Sequence, residues 1–465
     1  MGNISITQQY QGENARRSHD LEWEKESQQI GNAVSRQEAI QRLSEIDERL
    51  FYHHPHSWES KGFKERTLAT YFGEITIRRR LYIDAKGGYR YLLDEYLDLP
   101  PRQLATSNLQ EALVELATQT QFRQVSRTFE KLTGGVLSSS SIYRLLRKTA
   151  NRAIEKEKAD WQGLYERGEI PSGEDKKVPI LFSEGDGVFV HLQQEEQKHY
   201  EVKQAIAYEG WEKISGKEER YKLIGKRVYC QANEKIPFWE GASLEWAKVW
   251  DLSSLKEIVI GGDGAKWIDS GIGEFSGSIR QLDGFHLARA CGRGWQEGKE
   301  LYEAIRAGET EAARQLMHSL IPREGTGVEQ ARRYVKRNLE TGRDWRTVAK
   351  IEGVESRGLG TMESNEDKLI ANRMKKRGLS WTIGGAHRMN KAIQLAANED
   401  IKPFCKRQKS GKKERKLIIP ALSKWRSDGH QKWLEASVPA LTGPHASRPW
   451  VDKLHNLIYR SFPLN

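Results

Sequence analysis

Cysteine is scarce: Cys230, Cys291 and Cys405 are the only three in 465 residues. They lie far apart and form no Cys-x-x-Cys, which argues against a disulfide framework or a zinc knuckle and for a reducing, cytoplasmic setting. Long apolar runs are missing as well. No stretch approaches the roughly 20 residues a spanning helix needs, charged residues make up 30% of the chain, and the mean hydropathy is −0.73. An integral membrane protein is excluded on these grounds. The first ten residues have no basic segment followed by an apolar one, so no signal peptide is expected. The Met1-Gly2 start carries no weight as a lipidation site when nothing else points to a membrane. No internal repeat is visible. Acidic residues are in deficit, 64 Asp and Glu against 75 Lys and Arg, giving a net charge of +11. That sign favours a polyanionic partner, most commonly nucleic acid, over a basic protein with no such partner.

What is present divides into segments, enough for two to four domains at this length. Residues 1–60 read as an N-terminal helical segment, polar up to residue 33. Ile40, Leu43, Ile46 and Leu50 then recur at helical spacing. His53-His54-Pro55-His56 reads as a solvated turn, because no carboxylate or cysteine completes a metal set. Residues 61–105 contain a β-hairpin from Thr67 to Ile83 that turns at Gly73-Glu74. Its second arm carries Arg78, Arg79 and Arg80, three adjacent cations that cannot all face one core. Solvation or phosphate contact accounts for them.

Residues 106–160 show two apolar-striped helices, a stop at Gly134-Gly135, and a third helix capped by Ser138 to Ser141. That third helix presents Arg144, Arg147 and Lys148 opposite Ile142, Leu145 and Leu146. The pattern is that of a helix-turn-helix whose last helix enters a major groove. A three-helix bundle with a basic helix has the same signature.

From Val178 the chain turns α/β. Residues 175–294 hold strands at Val178–Phe182, Val188–Leu192, Tyr200–Tyr208, Ile258–Ile260 and Ser278–Leu282. A helix is expected over Leu244–Leu252, and another starts near His286. Residues 295–355 look like a helical insertion, and the α/β character resumes over 356–400 with a helix from Glu363 to Arg377. Residues 401–465 form a basic C-terminal arm suited to phosphate contact without sequence preference.

Two carboxylates stand out. Asp186 follows an apolar strand in Ser-Glu-Gly-Asp-Gly, and Asp263 follows Ile258-Val259-Ile260 in Gly-Gly-Asp-Gly. Asp-Gly is a common turn dipeptide, so either alone is weak. Together, at the ends of two central strands, they would repel unless a divalent cation lay between them. Two Mg²⁺ ions held so would suit in-line phosphoryl transfer. A third acid must come from another element, and Glu363 is the candidate, with Glu366 and Asp367 as rivals on its helix. Lys375, Lys376 and Arg377 follow as phosphate contacts. Trp267 and Trp381 lie near the acids in sequence and read first as core residues, second as platforms for an unpaired base.

These residues resemble the Asp-Asp-Glu triad of transposases with an RNase H-like core. More closely, the chain resembles the ISLre-two family of bacterial insertion-sequence transposases. The motifs that carry this are Phe72-Gly-Glu-Ile-Thr-Ile-Arg-Arg-Arg-Leu-Tyr82, Leu93-Asp-Glu-Tyr-Leu-Asp-Leu-Pro100 and Gly261-Gly-Asp-Gly-Ala-Lys-Trp267. Asp283-Gly-Phe-His286, Met362-Glu-Ser-Asn365 and Arg373-Met-Lys-Lys-Arg-Gly-Leu-Ser-Trp381 complete the set. Together they cover roughly residues 60–400.

The resemblance implies an α/β fold: an RNase H-like mixed sheet with a helical insertion, preceded by a mostly helical DNA-binding region with a β-hairpin. It implies Asp186, Asp263 and Glu363 as catalytic metal ligands for two Mg²⁺ ions, with Mn²⁺ as a substitute. Asp283 and His286 become auxiliary residues, His286 orienting a carboxylate, contacting phosphate or serving structure alone. One departure is Gly187, where a further acidic residue is expected after Asp186; Glu184 is the fallback first acid. The implied partners are double-stranded DNA, as element ends and target, and further copies of the chain as a homodimer or higher oligomer. The implied location is the cytoplasm, on the nucleoid. Rival readings are an RNase H-like nuclease that does not join strands, and a non-catalytic DNA-binding relic.

Overall fold

The computed structural model describes residues 22–169, 173–193, 196–214, 220–275, 277–349, 357–360, 367–376 and 378–406. The chain divides into two compact units, one of Met1–Leu43, Glu65–Arg78 and Asp94–Gln408, the other of Ser44–Lys64, Arg79–Leu93 and Lys409–Asn465. Helix α1 (Trp23–Tyr52) and strands β1 (Glu59–Thr70) and β2 (Gly73–Ile83) run from one into the other.

The second unit has the open half of the β1–β2 hairpin and β3 (Tyr89–Arg90), which pairs antiparallel with β2 through Tyr82↔Arg90. The histidine run here is a turn: the His53 Nδ1 lies 2.8 Å from the Arg49 carbonyl, and His54 stacks on Phe51.

In the larger unit, α2 (Ser107–Gln119), α3 (Phe122–Thr133) and α4 (Ser139–Trp161) form the expected three helices. Thr106 caps α2 by accepting from the Leu109 amide, and Ser138 caps α4 by accepting from the Ser141 amide. Gly134 ends α3 at φ 69°, a left-handed conformation that a β-carbon disfavours. Helix α4 runs 23 residues. Its inner face, Ile142, Leu145, Leu146, Ala150 and Ala153, is buried, and all but Ala150 belong to the main core.

That core lies on one face of a mixed sheet. Its strands are β4 (Ile180–Leu192), β5 (His199–Tyr208), β8 (Arg227–Cys230), β9 (Glu257–Gly262) and β10 (Ser278–Leu282). They lie in the order β10-β9-β4-β5-β8, and β11 (Ser380–Trp381) pairs with the far end of β4. Strands β4, β9 and β10 are parallel, while β5 and β8 run antiparallel to their neighbours. A separate hairpin, β6 (Gly210–Lys213) and β7 (Tyr221–Ile224), follows β5.

Alternation along β4 sends Phe182, Val188 and Val190 to the face covered by α2–α4 and by α10 (Ile383–Ala397), and Leu181 to the other. The opposite face is covered by α5 (Phe238–Trp246), which brings Phe238, Trp239 and Trp246. This helix begins six residues before the expected one at Leu244. Edge strand β8 is closed by α10 and the residue after it: Asn398 bonds both the amide and the carbonyl of Val228, and the Gln394 side-chain carbonyl accepts from the Cys230 amide. Side-chain amides there do what a further strand beyond β8 would do.

After β10 come α6 (Gly284–Gly294), α7 (Gly298–Ala307), α8 (Thr310–Ser319) and α9 (Val328–Arg337). They enclose a third core of Leu287, Cys291, Leu301, Ile305, Ala313 and Val335. The helices expected over 295–355 thus share their core with α6, which buries Leu287 and Cys291 among them. Later, residues Asp367–Lys375 wind as a π-helix with Ile370, Ala371 and Met374 in the main core. The three cysteines are free and buried, and burial pushes each thiol up to about 12.

Candidate functional site

Asp186 does not end a strand. The two short strands expected on either side of it are one strand of 13 residues, because β5 pairs with it without a break from Phe182↔Tyr208 to His191↔His199. The Glu-Gly-Asp-Gly segment is held extended by that ladder, which overrides the turn preference of Asp-Gly. Its glycines make room on the face away from the main core. A β-carbon on Gly185 would sit 3.3 Å from the Trp267 ring, and one on Gly187 would collide with the Glu201 carboxylate. Glu201 in turn accepts from the Trp267 indole at 3.2 Å. Small size at 187 thus fits the Glu201 side chain beside it, where the family resemblance led one to expect an acid.

β9 lies parallel to β4 with Glu184 opposite Gly261. Continued two residues, that register sets Asp186 level with Asp263, which directly follows β9, on the face where Phe182 and Val259 share the main core. β10 continues the row. Leu282 pairs with Gly262, and the Asp283 amide donates to the Gly262 carbonyl at 2.8 Å. Asp263 and Asp283 thus each follow directly on the end of a strand, on the same side of the sheet as Asp186 by the register of β4, β9 and β10.

Each carboxylate is oriented by a backbone amide. Asp186 Oδ1 accepts from Gly187 at 2.7 Å, Asp263 Oδ1 from Ala265 at 2.9 Å, and Asp283 Oδ1 from His286 at 2.9 Å. Asp283 is thereby the N-cap of α6. The His286 backbone makes that bond, while its ring is exposed and lies edge-on to Phe285.

Glu184, the fallback first acid, has a different environment. It is 3% exposed, accepts from the Tyr208 hydroxyl at 2.6 Å and from the Gly360 amide at 3.0 Å. It anchors the returning chain to the sheet. Leu359 also approaches Gly261, and a β-carbon on Gly360 would stand 4.0 Å from the Asp283 carboxylate. The chain thus re-enters beside the acids three residues before Glu363. Glu363 and Glu366 lie outside the described residues, as do Arg377 and the side chain of Asp367. Among the described residues no three His, Cys, Asp or Glu side chains converge as a metal set.

One contributor was invisible in the sequence. Tyr334 of α9 donates its hydroxyl to the Asp263 carbonyl at 2.7 Å. Burial, then the charges of Asp263 and Asp283, push its phenol well above the usual tyrosine range. Helix α9 is thus pinned onto the turn that bears Asp263.

The basic candidates differ in surroundings. Arg144 and Arg147 are exposed on α4, with Arg144 donating to Ser141 Oγ at 3.1 Å. Lys148 is half-buried, and burial, then Arg152 and Arg66, lower its ammonium from the usual lysine range. Arg80 is engaged within the smaller unit by Asp47 and Glu48 and lies over the Phe51 ring at 4.1 Å. Arg79 stacks on Tyr91 at 3.8 Å. Arg78, Lys375 and Lys376 are exposed. Trp267 packs edge-on to Phe238 at 4.5 Å, and the Trp381 indole donates to the Met374 carbonyl at 2.9 Å. Both serve packing in this structure.

Fold and site define a mixed α/β protein whose parallel strands gather carboxylates beneath a helical insertion. The chain belongs to UPF0236, an uncharacterised protein family, whose profile matches residues 21–413. It is 27% identical over 392 residues to a UPF0236 protein in the vanSb 3′ region of Streptococcus gallolyticus, covering 80% of this chain and 81% of that one. It is 22% identical over 374 residues to a UPF0236 protein of Caldanaerobacter subterraneus subsp. tengcongensis, covering 78% and 73%. The name of that second relative joins eleven locus designations. Among solved structures, the chain is similar to the Drosophila P element transposase strand transfer complex at 13% identity and a TM-score of 0.22. The match covers 65% of this chain and 84% of that one. A score so low carries no argument. No helix among the described residues is long and apolar enough to cross a membrane.

Proposed function

We propose that this protein is a transposase of the Asp-Asp-Glu class that binds the terminal inverted repeats of its own insertion sequence, cleaves DNA there and joins the end to a target. The observation that carries this is the parallel register of β4 and β9, with Glu184 opposite Gly261, which continued two residues brings Asp186 level with Asp263 just past the end of β9. The strand order β8-β5-β4-β9-β10, with a helix between β8 and β9 and β8, β5 and β4 successively antiparallel, supports an RNase H-like reading. A name joining eleven loci in one genome is what copies of a self-mobilising element would produce. Of the motifs of the ISLre-two family, Gly261–Trp267 starts on β9 and Asp283–His286 directly follows β10.

Two carboxylates as hard oxygen donors fit Mg²⁺, and Asp186 and Asp263 would hold it, with Glu363 as third ligand. Bound there, the ions would polarise the phosphodiester and lower the pKa of the attacking water or hydroxyl. The chain's own residues orient the carboxylates through the amides of Gly187 and Ala265. The exposed cations of α4 and the π-helix would hold phosphates, which positions DNA without reading its sequence.

A strand-transfer assay with the element's own ends, with and without Mg²⁺, tests the reading. Joined product that depends on Mg²⁺ and on Asp263 is expected. Cleavage without joining would favour a nuclease, and end binding indifferent to both acids would favour a non-catalytic protein.

A further inference from the structure

Gln204 is fully buried, and neither its amide oxygen nor its amide nitrogen has a hydrogen-bond partner. Other buried atoms lack partners too, but among the described residues Gln204 is the one side chain with two. A buried polar group left unpaired costs about 1–3 kcal/mol, so such a residue calls for a reason. Its position supplies one. Gln204 of β5 stands directly opposite Asp186 of β4. Directly opposed residues of an antiparallel pair share a face, with β-carbons roughly 5 Å apart. The amide is therefore beside the first acid, on the face where Asp186 and Asp263 meet. Val202 and Ile206, its neighbours on that face, are buried apolar residues of the main core, so a leucine there would satisfy packing without an orphaned amide.

We infer that Gln204 is part of the divalent-cation site, a positioning residue beside Asp186 whose amide, unpaired in this structure, is engaged only when the ion is bound. An amide oxygen is a hard donor of the type Mg²⁺ and Mn²⁺ accept. Partners outside the ligand set that orient a ligand typically change metal affinity by about 10–100-fold. This inference rests on the proposed acid pair.

The test is Mn²⁺ binding to the full chain, read by calorimetry and by the electron paramagnetic resonance of the ion, alongside thermal melting without metal. Gln204→Leu should bind Mn²⁺ at least tenfold more weakly while melting at or above the parent temperature, because an unpaired amide has been replaced by a core side chain. Gln204→Glu should restore or tighten Mn²⁺ binding and melt lower without metal, the pattern expected of a residue of the cation site and not of a packing residue; it also serves if the leucine variant fails to fold. Asp263→Asn is the control for the acid pair. If Asp263→Asn weakens Mn²⁺ binding and Gln204→Leu leaves it within twofold of the parent, the role of Gln204 is refuted and the acid pair stands. If the parent binds no Mn²⁺, or Asp263→Asn changes nothing, the acid pair falls and Gln204 with it.

Discussion

The acid-bearing strands and the helical insertion treat buried polar groups in opposite ways. On the strands Gln204 has both amide atoms unpaired, and Gln281, two residues before Asp283, has an unpaired amide nitrogen. Within the insertion no described buried side chain is left so. Asp344, after the last insertion helix, pairs with Arg306 and with Arg346 at 2.8 Å, and the Asn338 amide donates to the Tyr334 carbonyl. One region is finished by its own hydrogen bonds, while the other leaves buried donors and acceptors open. The lesson is that acid-lined strands, where satisfaction is sacrificed, are the place to look for a ligand, and the insertion is a fold element that braces them.

The largest effect expected from this contrast is functional. Asp263→Asn keeps an acceptor for the Ala265 amide, so its metal-free melting should match the parent, while strand transfer drops to background in a gel assay. Substantial activity in the variant would erase the distinction. Next comes Leu301→Ala, which opens a void in the insertion core where Leu301 is fully buried. A loss of about 2–5 kcal/mol is expected from chemical denaturation, with Mn²⁺ affinity of the folded fraction unchanged.

Asp344→Asn should cost somewhat less, about 2–3 kcal/mol, since a largely buried ion pair is broken but an amide remains to bond. Burial alone would raise the Asp344 carboxyl, yet Arg346 hydrogen bonds and the charges of Arg306 and Arg346 hold it below the usual carboxylate range. Its stabilisation is therefore complete above about pH 4 and is lost as pH falls through the depressed folded value. The parent should lose more stability than Asp344→Asn over that acid window, which a pH series of melts would show. Smallest is the effect of replacing Arg144, Arg147 and Lys148 together by alanine. End binding should weaken, and its log–log salt slope should flatten by about 0.9 for each phosphate that is no longer neutralised. An unchanged slope would place α4 away from DNA.

Sequence periodicity revealed the three helices after residue 106, with their serine cap and glycine stop, because those signals are local. It also marked β10, and β9 through the buried run Ile258-Val259-Ile260. It broke β4 in two at Asp186, since Asp-Gly is a turn signal unless a partner strand holds it extended. It missed β6, β7 and β8, short strands whose character comes from pairing and from the Asn398 and Gln394 amides.

The candidate acids Asp186, Asp263 and Asp283 were legible as residue types beside glycine. That they form one row was not, because register is a property of pairing between strands far apart in the chain. By itself the sequence determined which residues could carry chemistry, and through its family motifs where to look. Only the tertiary structure decided that Asp186 and Asp263 share a face, that Glu184 anchors the returning chain, and that Gln204 stands beside them. Side-chain direction in a sheet alternates with each residue, so one register step separates a site from a surface.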